Sequence, residues 1–336
     1  MASEALKTLF YPFETDALAP SARDARVLFL GAEPGFRLPA GFEAELHCVQ
    51  GMRPYFRALE AAGQKVACRV GGEGYSAALV LAGRHRGQNE LWIAEALEKV
   101  APGGLIVVAG SKDDGIASLR KRIGTLVTLE DALPKYHGLA FWFRCPAEKD
   151  AAQKLRAANA PVLVDGRFHT APGMFSHEKI DAGSRLLVDN LPADVAGRVA
   201  DFCAGWGYVA AEVAARSKSL KALDLYEADF EAIEAAKQNV RAECEVRFFW
   251  QDLIAEPVEG RYDWIVMNPP FHQGRAAEPD IGVALIKAAA KALKSGGRLA
   301  LVANRQLPYE ATLAASFSTA GELARDNRFK VLLARR

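Results

Sequence analysis

Between residues 197 and 267, apolar and polar positions follow two different rhythms. The short apolar runs "GRVADFC", "LKALDLY", "VRFFWQDL" and "YDWIVMN" have the length and the β-branched and aromatic content of strands. Between them, "AGWGYVAAEVAARS" and "EADFEAIEAAKQNV" space their apolar residues as an amphipathic helix does. "DIGVALIKAAAKALKSGG" reads as a further helix ended by glycine, "RLALVANR" follows it, and "RFKVLLARR" makes a final strand after "STAGELARDN". Alternating strands and helices predict an α/β fold built on a parallel, doubly wound, Rossmann-like sheet.

The same rhythm occurs earlier in the chain. "RVLFLGAEPGF" from Arg26 matches "RVADFCAGWGY" from Arg198, "ALEKVAPGGLIVVAGS" from Ala96 matches "AAKALKSGGRLALVANR" near Ala289, and "GLAFWFR" near Phe141 matches "FKVLLAR" near Val331. A separation of roughly 170 to 195 residues is too long for a solenoid repeat, so the pattern predicts two tandem copies of one domain. The copies differ where chemistry would sit. Gly205-Trp206-Gly207 in the second stand opposite Glu33-Pro34-Gly35 in the first, and Asn268-Pro269-Pro270-Phe271 opposite Leu81-Ala82-Gly83-Arg84. A carboxylate and a proline remove the close backbone approach that glycine permits, so the first copy is expected to have lost its ligand. The joining stretch "RCPAEKDAAQKLRAANAPVLVDGRFHTAPGMFS", with three prolines and mixed charge, puts the expected boundary near residue 155, giving domains 1–155 and 156–336.

Composition narrows the possibilities. Half of the 336 residues are apolar and a quarter are charged, as in ordinary globular proteins, and a net charge of +1 gives no overall basic field. Local basic patches remain open. Cys48, Cys68, Cys145, Cys203 and Cys244 are odd in number and scattered, which speaks against a disulfide framework and a zinc site and for a reducing compartment. The N-terminal "MASEALKTLFYPFETDALAP" lacks a basic stretch followed by an apolar one, and no run reaches the ~18 apolar residues of a membrane span. A cytoplasmic, monomeric protein with no metal and no membrane partner is expected.

"DFCAGWGYVA" sets Asp201 at a strand end, Cys203, Gly205 and Gly207 in the turn, and Ala210 inside the next helix. This is the G-x-G-x-x-A pattern of dinucleotide sites. Asp224 is expected to close the second strand, where a carboxylate accepts from both hydroxyls of a ribose. Asp252, after the third strand, is placed to receive the exocyclic amine of an adenine. A nicotinamide cofactor and S-adenosylmethionine both satisfy these features, so a hydride-transferring oxidoreductase stays open.

"MNPPFHQG" ranks the two, because an N-P-P-aromatic run at the end of the fourth strand resembles the motif of class I S-adenosylmethionine-dependent methyltransferases that alkylate planar amines. Consecutive prolines cannot continue a central strand, so the chain leaves the sheet in a rigid loop carrying Asn268, Pro269, Pro270 and Phe271. The exocyclic amine of a nucleobase is a poor nucleophile because its lone pair is delocalised into the ring. The Asn268 side-chain oxygen and the Pro269 carbonyl, aimed at its two N–H groups, would favour positive charge on that nitrogen as it attacks a sulfonium methyl. The prolines keep those acceptors preorganised, and Phe271 offers a face on which the base stacks. This chemistry needs neither metal nor covalent intermediate, and no general base, so His177 is read as structural and His272 as a substrate contact of the loop.

With these residues in place, the chain resembles the bacterial 16S ribosomal RNA guanine-N2 methyltransferase family. The resemblance runs from "APGMFSHEKIDAGSRLLVDNLP" through "NPPFHQG" to "RFKVLLARR", with the pattern D-x-G-S-x-L-L among its specific parts. It implies tandem class I methyltransferase-type domains, the N-terminal one degenerate, and methyl transfer from S-adenosylmethionine to a guanosine of 16S RNA or the 30S subunit. By correspondence it puts Asn268 through Phe271 at the target base. Asp201, Cys203, Gly205, Gly207, Asp224 and Asp252 surround the cofactor, with Phe175 and Ser176 nearby. Methyltransferases of adenine, cytosine and protein glutamine share the NPPF run and are the alternatives within the class. Two departures stand out: bulky Trp206 between the glycines, and Tyr226, expected to make the adenosine pocket's edge aromatic. For RNA, the candidate phosphate contacts are Arg84 and Arg86 in "AGRHRG", Arg120, Lys121 and Arg122 in "SLRKRIG", and Lys154 and Arg156 in the linker.

Overall fold

A computed structural model describes residues 3–270 and 279–336, and the chain divides into two compact units. The first comprises Met1–Pro161 with Ala171–Gly173, the second Val162–Thr170 with Met174–Arg336. The linker boundary expected near residue 155 falls inside the helix Asp150–Ala158, which belongs to the first unit.

The first unit holds strands β1 (Arg26–Leu30), β2 (Glu45–Val49), β3 (Lys65–Ala67), β4 (Tyr75–Ala82), β5 (Val100–Ser111), β6 (Leu129–Lys135) and β7 (Gly138–Arg144). They form one sheet in the order β3-β2-β1-β4-β5-β7-β6. The second unit begins with the hairpin β8 (Val162–Val164) and β9 (Phe168–Thr170). Its main sheet contains β10 (Gly197–Phe202), β11 (Leu220–Glu227), β12 (Glu245–Trp250), β13 (Tyr262–Met267), β14 (Leu293–Asn304), β15 (Thr319–Arg325) and β16 (Phe329–Arg335). Its order, β12-β11-β10-β13-β14-β16-β15, repeats that of the first sheet strand for strand.

Neither sheet is wholly parallel. In each, the last strand inserts antiparallel between its two neighbours, β7 beside β5 and β6, β16 beside β14 and β15. The reason is local. Only three residues separate β15 from β16, too few for the crossover a parallel pair requires, and Asp326 closes this turn by accepting from the Arg328 and Phe329 N–H groups at 2.7 Å.

Both faces of each sheet are covered, as the continuous apolar runs require. In β1, Val27 and Phe29 enter one buried cluster while Leu28 and Leu30 enter the other, so the strand alternates between two cores. The helix Asp150–Ala158 is tied to the helix Arg86–Lys99 by Arg156, which donates to Glu98 at 2.6 Å and to Glu95 at 2.5 Å. Arg156, a candidate phosphate contact on sequence grounds, is thus already paired.

The two glycine turns match at two left-handed positions and differ between them, where Gly205 (φ +52) is left-handed and its counterpart Glu33 is not. Gly31 (φ +68) and Gly35 (φ +89) in the first unit correspond to Cys203 (φ +61) and Gly207 (φ +91) in the second. Gly207 has no substitute there. Its φ is left-handed, and a Cβ would lie 2.6 Å from Cγ2 of Val240, the residue that follows the helix Phe230–Asn239.

Candidate active site

Strand register builds the site. Phe202 of β10 lies opposite Tyr226 of β11 and Met267 of β13, so the residues that follow, Cys203, Glu227 and Asn268, lie level at the carboxyl edge of the sheet. Ligands of open α/β sheets bind at this edge. A cleft lies there, lined among others by Phe175, Asp181, Ser184, Cys203, Gly205 and Asn268.

Asp201 is 1 % exposed and its Oδ2 has no partner among the described residues. Burial holds its carboxyl well above the usual range; the Ala210 N–H pulls it down and nearby Glu227 pushes it further up. At Gly205 (φ +52) a Cβ would project into open space, so the turn leaves room for a ligand to approach the backbone. Cys203 occupies the left-handed position where glycine is easier, and burial, then Glu227 and Asp201, raise its thiol, which makes it an inert wall of the cleft. Trp206 is no obstruction. It is 4 % exposed, packs on Phe168 and Tyr208, and donates from Nε1 to the Phe175 carbonyl at 2.9 Å. The indole therefore fastens the Phe175 segment to the glycine turn, leaving the Phe175 ring 57 % exposed beside the cleft.

Asp224 does not close its strand. β11 continues three residues further, and Asp224 is turned into the protein with 0 % exposure. It accepts from Arg247 at 2.8 and 2.6 Å, from Tyr262 at 2.6 Å and from Arg198 at 3.2 Å. Burial alone would raise this carboxyl; the bonds from Arg247, Tyr262 and Arg198 outweigh it and hold it below the usual range. A carboxylate so saturated has nothing left for a ribose. Tyr226 likewise belongs to the core, stacked on Phe249 with centroids 4.6 Å apart and bonded to the Tyr262 hydroxyl at 2.7 Å.

Glu227 occupies the strand-end position that sequence reasoning gave to Asp224. It accepts from the N–H groups of Gly205 at 2.7 Å, Ala228 at 2.8 Å and Asp229 at 2.9 Å. It keeps some contact with solvent, yet burial pushes its carboxyl up against those three donors. Asp229, the N-cap of the helix Phe230–Asn239, is pushed up to about 7 by burial and by Glu227. Asp252 follows β12 as expected and uses Oδ1 to accept from Ile254 at 3.0 Å and Ala255 at 3.3 Å.

Asn268 lies where β13 ends, followed by buried Pro269 and exposed Pro270. Its Nδ2 donates to Ser184 Oγ at 2.7 Å and to Asp181 Oδ2 at 3.2 Å, while its Oδ1 is buried without a partner among the described residues. Sequence reasoning missed Asp181 and Ser184 as site residues, although the D-x-G-S pattern contained them. It also missed Tyr309, fully buried with its hydroxyl unpartnered among the described residues and its phenol raised by burial and by Cys203. Phe271 and His272 lie outside the described residues. His177 contributes only its carbonyl, which accepts from Thr170 Oγ1 at 2.6 Å, and an ion pair with Glu178.

The first unit carries no equivalent chemistry. Strand register puts Phe29 at the place of Asp201 and Leu81 at that of Asn268, as the repeat predicted for the latter. Gln50 follows β2 as Glu227 ends β11, and its amide donates to the Ala32 carbonyl at 2.7 Å. A Cβ at Gly31 would meet the Trp92 ring at 2.7 Å, so an indole fills the space above the turn. Of the proposed RNA contacts, Arg84 pairs with Asp114 at 3.3 Å, and Arg86 and Arg122 flank buried Glu90 at 2.9 and 4.0 Å. Arg120 and Lys121 are exposed in the last turn of the helix Ile116–Ile123.

Two sheets of this order, one bearing a glycine turn, a strand-end carboxylate and a rigid Asn-Pro-Pro exit, define a class I methyltransferase. The family description "Methyltransferase small domain" matches residues 165–333. A ribosomal RNA small subunit methyltransferase C from Salmonella newport is 31 % identical over 255 residues, covering 74 % of this chain and 72 % of the relative. The Salmonella gallinarum protein of the same name is 33 % identical over 67 % of this chain and 66 % of its own length. The chain belongs to the ribosomal RNA small subunit methyltransferase C family. A solved T. thermophilus 16S rRNA N2 G1207 methyltransferase, in complex with AdoMet and guanosine, has the same fold, with TM-score 0.79 and 23 % identity over 99 % of this chain and 91 % of its own.

Two outcomes follow for stability. Asp224→Ala removes the acceptor shared by four donors; because the Arg198 and Arg247 side chains are each more than one-third exposed and rehydrate, the loss should be about 2 to 3 kcal/mol, read from the urea midpoint. Asp201, Glu227 and Asp229 have raised folded-state values, so the folded form keeps protons that the unfolded chain has released. Their stabilisation is complete below about pH 4 and is lost as pH rises through the folded values, about 7 for Asp229. The melting temperature of the unliganded protein should fall between about pH 5 and pH 8, and Glu227→Gln should make that slope shallower.

Proposed function

We propose that this chain transfers a methyl group from S-adenosylmethionine to the exocyclic N2 of a guanosine in 16S ribosomal RNA. Family membership supports this reading and leaves no place for the hydride-transfer alternative. The observation that carries it is the buried Asn268 Oδ1 at the end of β13, level with the glycine turn and without a partner among the described residues.

The residues fit the cofactor. Asp201 Oδ2 is an orphaned acceptor of the kind a bound ligand satisfies. Gly205 leaves the backbone approachable, Gly207 and Cys203 shape the turn, and Glu227 rather than Asp224 is the acid for the ribose hydroxyls. Asp252, just after β12, is the acceptor for the adenine amine in this reading, and Phe175 lines the cleft. S-adenosylmethionine, when bound, supplies an electrophilic methyl on a sulfonium. The protein's part is to hold the amine: Asn268 Oδ1 accepts one N–H, and the stiff Pro269-Pro270 segment keeps that acceptor in place, so little reorganisation is needed as positive charge builds on nitrogen. The guanine must leave its stack to reach this edge.

The first unit orients RNA in this reading. Its turn has lost the acid and the asparagine, carries Glu33 in place of Gly205 and has the Trp92 indole over Gly31, while Arg120 and Lys121 stay exposed for phosphates.

Incubation with labelled S-adenosylmethionine and undermethylated 16S RNA, free and in 30S particles, should yield N2-methylguanosine; label on adenosine or on protein would overturn the assignment. Asn268→Ala should lower kcat about 10²- to 10³-fold while S-adenosylhomocysteine still binds. Glu227→Gln should weaken that binding, and Asp224→Ala should leave it intact in the folded fraction. Arg120→Glu with Lys121→Glu should raise KM for RNA and reduce the salt slope of binding by about 2, with cofactor affinity unchanged.

A further inference from the structure

An asparagine amide presents an oxygen or a nitrogen depending only on a half-turn of its last torsion, and both poses fill the same space. For Asn268 the difference is decisive. An oxygen toward the cleft accepts from the target amine; a nitrogen there would set donor against donor. Something must choose between the poses, and it lies on the helix Ala182–Asp189. Asp181, the N-cap of that helix, accepts from the Ser184 N–H at 2.8 Å and, through the same Oδ2, from Asn268 Nδ2 at 3.2 Å. Ser184 Oγ receives Nδ2 at 2.7 Å, but a hydroxyl can donate as readily as accept and does not discriminate alone. The carboxylate does, because it only accepts. With Asp181 facing it, the nitrogen must point to the helix, and Oδ1 is left without a partner among the described residues, on a side chain that lines the cleft.

We propose that Asp181, with Ser184, is a positioning residue that locks the Asn268 amide oxygen toward the target amine. This rests on the methyltransferase reading above. The helix cap and the active-site amide share one oxygen atom, so the start of the helix Ala182–Asp189 is set by the same bond that orients the acceptor.

Asp181→Ser with Ser184→Ala tests it. The serine still caps the helix but is too short to reach Asn268, and the alanine removes the second acceptor. The double variant should lose about 10- to 100-fold in kcat on undermethylated 16S RNA, with KM for S-adenosylmethionine and affinity for S-adenosylhomocysteine within about twofold of the parent. Asp181→Asn should recover most of the rate, since the Ser184 N–H holds its amide oxygen in the place of Oδ2. An undiminished kcat in the double variant overturns the proposal. So does a parallel loss of S-adenosylhomocysteine binding, or an Asp181→Asn rate as low as that of the double variant, which would assign the effect to charge. If the parent itself forms no N2-methylguanosine, the functional reading fails; if it does while the double variant keeps pace, only the positioning role fails.

Discussion

Parallel strands that stop at a common level bring the residues after them side by side, however far apart those residues are in the chain. That constraint makes the site. The register of β10 against β11 and β13 sets Cys203, Glu227 and Asn268 along one edge, although 65 residues separate the first from the last. Hydrogen bonding along the ladders and burial on both sheet faces fix this register, since a slip by one residue would exchange the apolar sets between the two cores. The chemistry therefore depends on packing several residues below it. The Asp224 network, inside the sheet and away from the strand ends, reinforces the same β10, β11, β12 and β13 alignment by tying Arg198, Arg247 and Tyr262 to one carboxylate.

Much of this could be read from the residues in order. Two prolines after an apolar run can only mean a chain leaving the sheet, and β13 does end at Met267, directly before Asn268. Gly207 was found because the glycine turn has a fixed spacing. The duplicated rhythm gave both sheets and even paired Leu81 with Asn268. The choice of Asp224 over Glu227 failed for a physical reason: "LDLYE" holds two acids, and nothing local says whether the strand ends after the first or the second. That depends on how far β12 pairs along β11, and the pairing runs to Glu227 opposite Trp250. Asp181 and Ser184 were unreadable as partners of Asn268 because a hydrogen bond across 84 or 87 residues leaves no local trace. Trp206, a departure by its bulk, has a structural role that no local pattern announces: its indole N–H has a carbonyl to bind, and a large side chain with a satisfied polar atom is a clamp.

The two copies separate what the fold needs from what the reaction needs. Strand order and two of the left-handed turn angles are common to both, so they belong to the scaffold. The carboxylate at the end of the first strand, the acid ending the second and the asparagine after the fourth occur in one copy only. Their replacements Phe29, Gln50 and Leu81 are each apolar or internally bonded, as a turn facing no ligand requires.

The matching φ angles at Gly31 and Cys203, and at Gly35 and Gly207, have a practical consequence. The polypeptide carries its own partial blank, a second strand-end turn that matches at these two angles and lacks the strand-end acid and the asparagine, present at equal concentration in every sample. A ligand-dependent change confined to the second turn reports occupancy, and a change that both turns show reports the solvent or the temperature.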